Sequence, residues 1–128
     1  MRRASVKMYR ELNTIEKTWL NKVLDVDFKG RDILVEQISR AHVLRERNYS
    51  FVSLRFRVLD NSEEYPYCVR VPVEMRAFQK GHAPVVFLLH VVDGLINELE
   101  IITADSSEIA DNCIELNAVE YEINSEVR

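Results

Sequence analysis

The chain has 128 residues, with 17 Lys+Arg, 21 Asp+Glu, 47% apolar residues and only 3 Gly, 3 Pro and 2 Cys. That length fits a single domain over 1–128, able to bury one core without staples, and the mixture excludes long disorder, collagen-like repeats and low complexity. No stretch nears the ~20 apolar residues of a membrane span, the basic start Met1-Arg2-Arg3 lacks the apolar run of a signal peptide, and Cys68 and Cys113 make no disulfide framework, so a reducing cytoplasm is the expected location.

In chain order, Asn13 is a good N-cap and Glu16 stands three residues on, the spacing of a capping box. Ile15, Trp19, Leu20, Val23 and Leu24 recur at helical spacing, which predicts a helix from Thr14 to Leu24 or Asp25 with Trp19 as core anchor. Gly30 ends the connection. A second helix is predicted over Arg31 to Arg40, with Leu34, Ile38 and Ala41 on one stripe and Asp32 at its positive end.

From His42 the period turns to two. Val52, Leu54, Phe56 and Val58 alternate with Ser53, Arg55 and Arg57, the pattern of a half-buried strand. After the polar 60–64 loop, Tyr65, Tyr67, Val69, Val71, Val73 and Met75 alternate again, with Pro72 marking an edge or a bulge. A hairpin pairing Val58 with Tyr65 would bring both apolar sets to one side. Pro84 to Val92 reads as a central strand. Asp93-Gly94 then signals a tight hairpin into Leu95–Thr103. A two-residue turn pairs Val92 with Leu95, His90 with Asn97 and Leu88 with Leu99. The other face then holds Phe87, Leu89, Val91 and Ile96 beside Glu98 and Glu100. A last strand is expected near Val119, Tyr121 and Ile123, with Glu120 and Glu122 pointing out. The expected fold is α+β: two N-terminal helices packed on a largely antiparallel sheet of five or six strands.

Two segments carry a resemblance. Asp27-Phe28-Lys29-Gly30-Arg31-Asp32 with Leu34 and Gln37, and Leu89-His90-Val91-Val92-Asp93-Gly94-Leu95 with Glu98-Leu99-Glu100-Ile101, resemble an uncharacterised family of small bacterial domain proteins. The resemblance implies a stand-alone α+β domain and no known activity.

Familiar catalytic signatures are missing. No Gly-rich phosphate loop, nucleophile elbow, HExxH or CxxC occurs, and the three histidines lie far apart. No cofactor and no metal site is expected. His90, in an apolar strand, reads either as a buried histidine bonded to Asn97 or as a general base working with a carboxylate. Arg55, Arg57, Arg70 and Arg76 would share a polar face. Tyr65 and Tyr67 fall in parity with the core, however, and an acidic chain is repelled by phosphate, which argues against nucleic acid.

The charge is unevenly placed. Residues 1–57 hold 13 Lys/Arg against 7 Asp/Glu, and residues 58–128 hold 4 against 14. From Asp93 to Val127 there are ten acids and no Lys or Arg. This points to a non-enzymatic domain that presents an acidic surface to a basic protein partner, for instance an immunity protein plugging the cationic site of a toxin. The residues expected to meet that partner are Phe87, Leu89, Asp93, Glu98, Glu100, Asp105, Glu108 and Asp111. The alternatives are a small enzyme using His90, or a homo-oligomeric module, such as a homodimer, that pairs sheet faces or edges.

Overall fold

A computed structural model describes residues 8–59 and 61–128. Two helices, α1 (Thr14–Val23) and α2 (Arg31–Ser39), precede six strands: β1 (Ala41–Asn48), β2 (Phe51–Val58), β3 (Val73–Gln79), β4 (His82–Val92), β5 (Leu95–Thr103) and β6 (Ile114–Ile123). All strand pairs are antiparallel, and the sheet order is β1-β2-β5-β4-β3-β6. The fold is α+β, with its helices ahead of its strands.

α1 begins as its sequence dictates. The Asn13 side chain accepts the Glu16 amide and the Glu16 carboxylate accepts the Asn13 amide, each at 2.9 Å, so two orphan donors are satisfied reciprocally. The helix buries Trp19, Leu20 and Val23. Trp19 meets Phe87 of β4 edge to face at 6.1 Å between ring centroids. Beneath them the sheet supplies Leu54, Leu99, Leu89 and Val73 as one cross-strand row, and Val52, Ile101, Phe87 and Met75 as the next, all fully buried. Stripping Trp19 to alanine would cost about 3–5 kcal/mol, the range for large core truncations.

α2 is tied down by one polar side chain. Gln37 is fully buried, and its amide donates to the carbonyls of Glu63 and Gly94, both at 2.8 Å, while its oxygen accepts the Ile96 amide at 2.8 Å. Gly30 precedes α2 at φ +79°, where a Cβ would stand 2.5 Å from the Tyr65 ring. That ring is buried, its hydroxyl donates to the Lys29 carbonyl at 2.7 Å, and burial beside Tyr67 pushes the phenol up to about 12. Gly30 and Gln37 at α2 thus meet Tyr65 and Gly94, distant in the chain, at one end of the sheet.

Three expectations are corrected. β1 occupies the start of the stretch from His42 where the period turns to two, ahead of the strand read from Val52. Its core-side alternation, Ala41 and Val43, continues as Arg45 and Arg47, which lie opposite Leu54 and Val52. Arginines at core-side positions hid the strand, and ion pairs explain them. Second, residues 65–72 are not a strand and Val58 does not pair with Tyr65; β2 lies between β1 and β5. The segment is held instead by single bonds, Tyr65 N to Gly94 O at 2.8 Å and Val91 N to Arg70 O at 2.7 Å, and pairing resumes only after Pro72.

Third, the β4–β5 hairpin turns at Asp93-Gly94 as expected, with φ of +52° and +80°, but its register shifts between His90 and Val91. Val91 pairs with Ile96 and His90 with Glu98, leaving Asn97 as a bulge. Every later residue of β5 therefore changes face. Leu99 and Ile101 turn to the core beside Leu89 and Phe87, and Glu98 and Glu100 turn away from it.

Candidate functional site

The sheet has two unlike faces. α1 covers the core face, and the Asp111–Cys113 turn of 3-10 helix lies on that side too, because Asp111 reaches the core-side arginines. Among the described residues the outer face carries no helix. Register places three rows of side chains across it. The middle row runs Glu46, Ser53, Glu100, Leu88, Glu74 and Glu122 from β1 to β6. On one side of it lie Leu44, Arg55, Glu98 and His90; on the other lie Asn48, Phe51, Ile102, Val86, Arg76 and Glu120. The three rows hold six glutamates against two arginines. No Lys or Arg falls in the middle row itself, but Arg55 of the flanking row brings its Nε to 3.7 Å from the Glu46 carboxylate.

Within the row Glu74 and Glu122 are direct cross-strand partners. Like charges facing each other across a ladder destabilise it. Beside them Glu74, Arg76, Val86, Glu120 and Glu122 line a shallow depression of ≈ 320 Å³. The apolar members Phe51, Ile102, Val86 and Leu88 are only half-buried.

His90 stands at the border of this face. Its Nε2 is 3.0 Å from Glu100 Oε1, and Arg70 Nε donates to its Nδ1 at 3.1 Å. If Nδ1 accepts from Arg70, Nε2 carries the hydrogen and donates to Glu100. Both ring nitrogens are then engaged. Glu98 is bonded to the Ser53 hydroxyl and lies opposite Arg55.

The core side handles its acids differently. Glu16 is fully buried and clamped by Arg10 through two 2.8 Å bonds, with Arg45 at 3.8 Å. Burial alone would raise its carboxyl, but the bonds from Arg10 and the Asn13 amide and the charges of Arg10 and Arg45 outweigh it and hold the group below the usual range. Asp111 is bonded to both Arg45 and Arg47.

The residues expected to form one surface are therefore separated. Phe87 and Leu89 are fully buried in the core and cannot meet a partner. Glu98 and Glu100 share the outer face with each other but not with them. Asp93 is exposed in the hairpin turn at one end of the sheet. Asp105 and Glu108 belong to the loop after β5, at the opposite end. Bonds from Ser107 hold the Asp105 carboxyl below the ordinary range, and Glu108 approaches His82 at 3.5 Å. Asp111 is neutralised by arginines from the front half of the chain. The acids of 93–126 do not make one patch. The expected arginine face is likewise dispersed, since β5 and β4 separate Arg55 and Arg57 on β2 from Arg76 on β3.

Glu46 and Glu74 were missed as site residues. Their signal lay in alternation, Glu74 between Val73 and Met75, but only strand order reveals that they line up with Glu100 and Glu122. Among the described residues no group of three or more His, Cys, Asp or Glu is placed to hold a metal ion, and no helix is long and apolar enough to cross a membrane. Comparison with family models, curated proteins and solved structures gives no match.

Proposed function

We propose that this chain is a non-enzymatic binding domain of the bacterial cytoplasm that docks a basic protein partner on the outer face of its sheet. The observation that carries this reading is the Glu74–Glu122 pair: two carboxylates face each other across neighbouring strands, with no Lys or Arg in their row. Directly facing like charges disfavour a ladder, with Arg76 the cation that lines the same depression. A cationic surface laid over the face would gain most at the facing Glu74 and Glu122, and the acids would also speed its approach. Half-buried Phe51, Ile102, Val86 and Leu88 supply the apolar contact that charge alone lacks. An immunity protein covering the cationic site of a toxin is one concrete form of the reading.

The test begins with affinity capture on the immobilised protein in native extract, followed by nuclear magnetic resonance mapping of the purified partner onto the sheet. Shifts at Glu74, Glu100 and Glu122 support the reading. A retained partner that perturbs only the helix side would overturn it.

A second reading, a small enzyme using His90 with Glu100, has their 3.0 Å contact in its favour. It ranks lower because Arg70 and Glu100 occupy both ring nitrogens, which leaves no lone pair for a substrate proton. A homodimer through the outer face would set glutamates against glutamates.

A further inference from the structure

We infer that residues 65–72 form a strap released by acid: a proton taken up on Nδ1 of His90 expels the Arg70 side chain and loosens the middle of the segment, while its two ends stay fixed. This is independent of the docking reading above.

The strap is not part of the sheet, and its ends are tied differently from its middle. At one end the Tyr65 amide donates to the Gly94 carbonyl at 2.8 Å, and the Tyr65 hydroxyl donates to the Lys29 carbonyl at 2.7 Å. At the other end the Asn124 amide donates to the Pro72 carbonyl at 3.0 Å. Between them the bonds meet at Arg70. Its carbonyl accepts the Val91 amide at 2.7 Å, and its Nε donates to His90 Nδ1 at 3.1 Å. Val69 in this middle is buried, whereas Cys68 and Arg70 are exposed. A hollow of ≈ 420 Å³ lies between the strap and the β4–β5 turn, lined by Tyr67, Val69, Val91 and Asp93.

The bond to His90 needs a bare ring nitrogen. Nδ1 accepts from Arg70 only while it carries no hydrogen, so the ring is neutral and its hydrogen sits on Nε2, toward Glu100 Oε1 at 3.0 Å. A second proton has only Nδ1 to go to. It turns the acceptor into a donor and sets an imidazolium against a guanidinium, so the bond is lost and the two cations repel. The other charges around the ring keep the imidazolium in place. Glu98 is its cross-strand partner on β5, Glu100 holds Nε2, and Glu74 on β3 lies opposite Leu88, two residues along β4. Arg55 stands beyond Glu98, on β2. Acid therefore tightens His90 on β5 and drives Arg70 away. Histidine is the side chain that ordinarily changes charge between about pH 5 and 8, a range in which carboxylates stay largely ionised.

The test is nuclear magnetic resonance on the full chain, titrated from about pH 8 to about pH 5. The Arg70 Nε hydrogen and the Val91 amide should shift with the same midpoint as the His90 ring. Protection of the Val91 amide, taken against the intrinsic exchange rate at each pH, should fall about threefold or more, while that of the Tyr65 amide holds. His90→Gln is the control. Its side-chain oxygen accepts from Arg70 and its nitrogen donates to Glu100 at every pH, so Val91 protection should stay high throughout. A Val91 amide equally protected at both ends of the titration, an Arg70 signal that follows no His90 midpoint, a fall shared by the Tyr65 amide, or the same fall in His90→Gln overturns the inference.

Discussion

The two faces of one sheet treat acidic side chains in opposite ways. On the core side Glu16 and Asp111 are each met by arginines, and the arginines occupy strand positions where apolar residues are expected. On the outer face Glu74 and Glu122 face each other, and their row holds no cation. The first arrangement serves stability: a carboxylate out of water must be paired, and removing Arg10 would leave the buried Glu16 charge uncompensated on that side. The second disfavours the ladder through like-charge repulsion, which Arg76 in the same depression, or a positive charge from outside the fold, can relieve.

That contrast can be broken first where it is strongest. Glu16→Ala should destabilise by about 3–5 kcal/mol in chemical denaturation, because it removes the capping-box acid and strands Arg10 beside a buried gap. The same group sets an acid limb. Its folded pKa lies below the unfolded value of about 4.3, so its contribution is complete above that pH and is lost as pH falls through the folded value. Glu16→Gln should flatten that limb in denaturation curves taken at a series of acidic pH values.

Gly30→Ala comes next, at about 2–3 kcal/mol, since it combines a left-handed backbone with a clash against Tyr65. Gly81→Ala, at φ +76° with nothing within 4 Å, should cost only about 1 kcal/mol in the same assay. Asp111→Asn should fall near 1–2 kcal/mol, roughly the value of bonds to charged groups at a partly buried site. The smallest effect has the opposite sign. Glu122→Lys sets a cation opposite Glu74 and should raise the thermal midpoint slightly, by roughly 0.5 kcal/mol of added stability. A loss of stability there would mean the outer-face acids already help the fold.

Much of the fold is legible in local signals. Asn13 and Glu16 mark the start of α1, and Asp93-Gly94 marks the hairpin, because cap and turn chemistry act over a few residues. The site is less legible. Reading β5 by strict alternation from the turn puts Glu98 beside Phe87 and Leu89. Yet the apolar residues Ile96, Leu99 and Ile101 already break parity between 96 and 99, and that break is the trace of the bulge at Asn97. β1 is obscured for another reason: Arg45 and Arg47 answer to Glu16 and Asp111, partners distant in the chain. The glutamate row depends on strand order, and no local pattern encodes which strands become neighbours.

The proposed function rests on the facing carboxylates of Glu74 and Glu122 serving a partner and not the fold. The most direct measurement is the affinity of the captured basic partner for a variant carrying Glu74→Gln and Glu122→Gln, compared with the unaltered chain at two ionic strengths. The account predicts binding weaker by about tenfold or more, with a flatter salt dependence, in a variant whose folding stability is unchanged or slightly raised. Equal affinity and an equal salt dependence in the two proteins would contradict it.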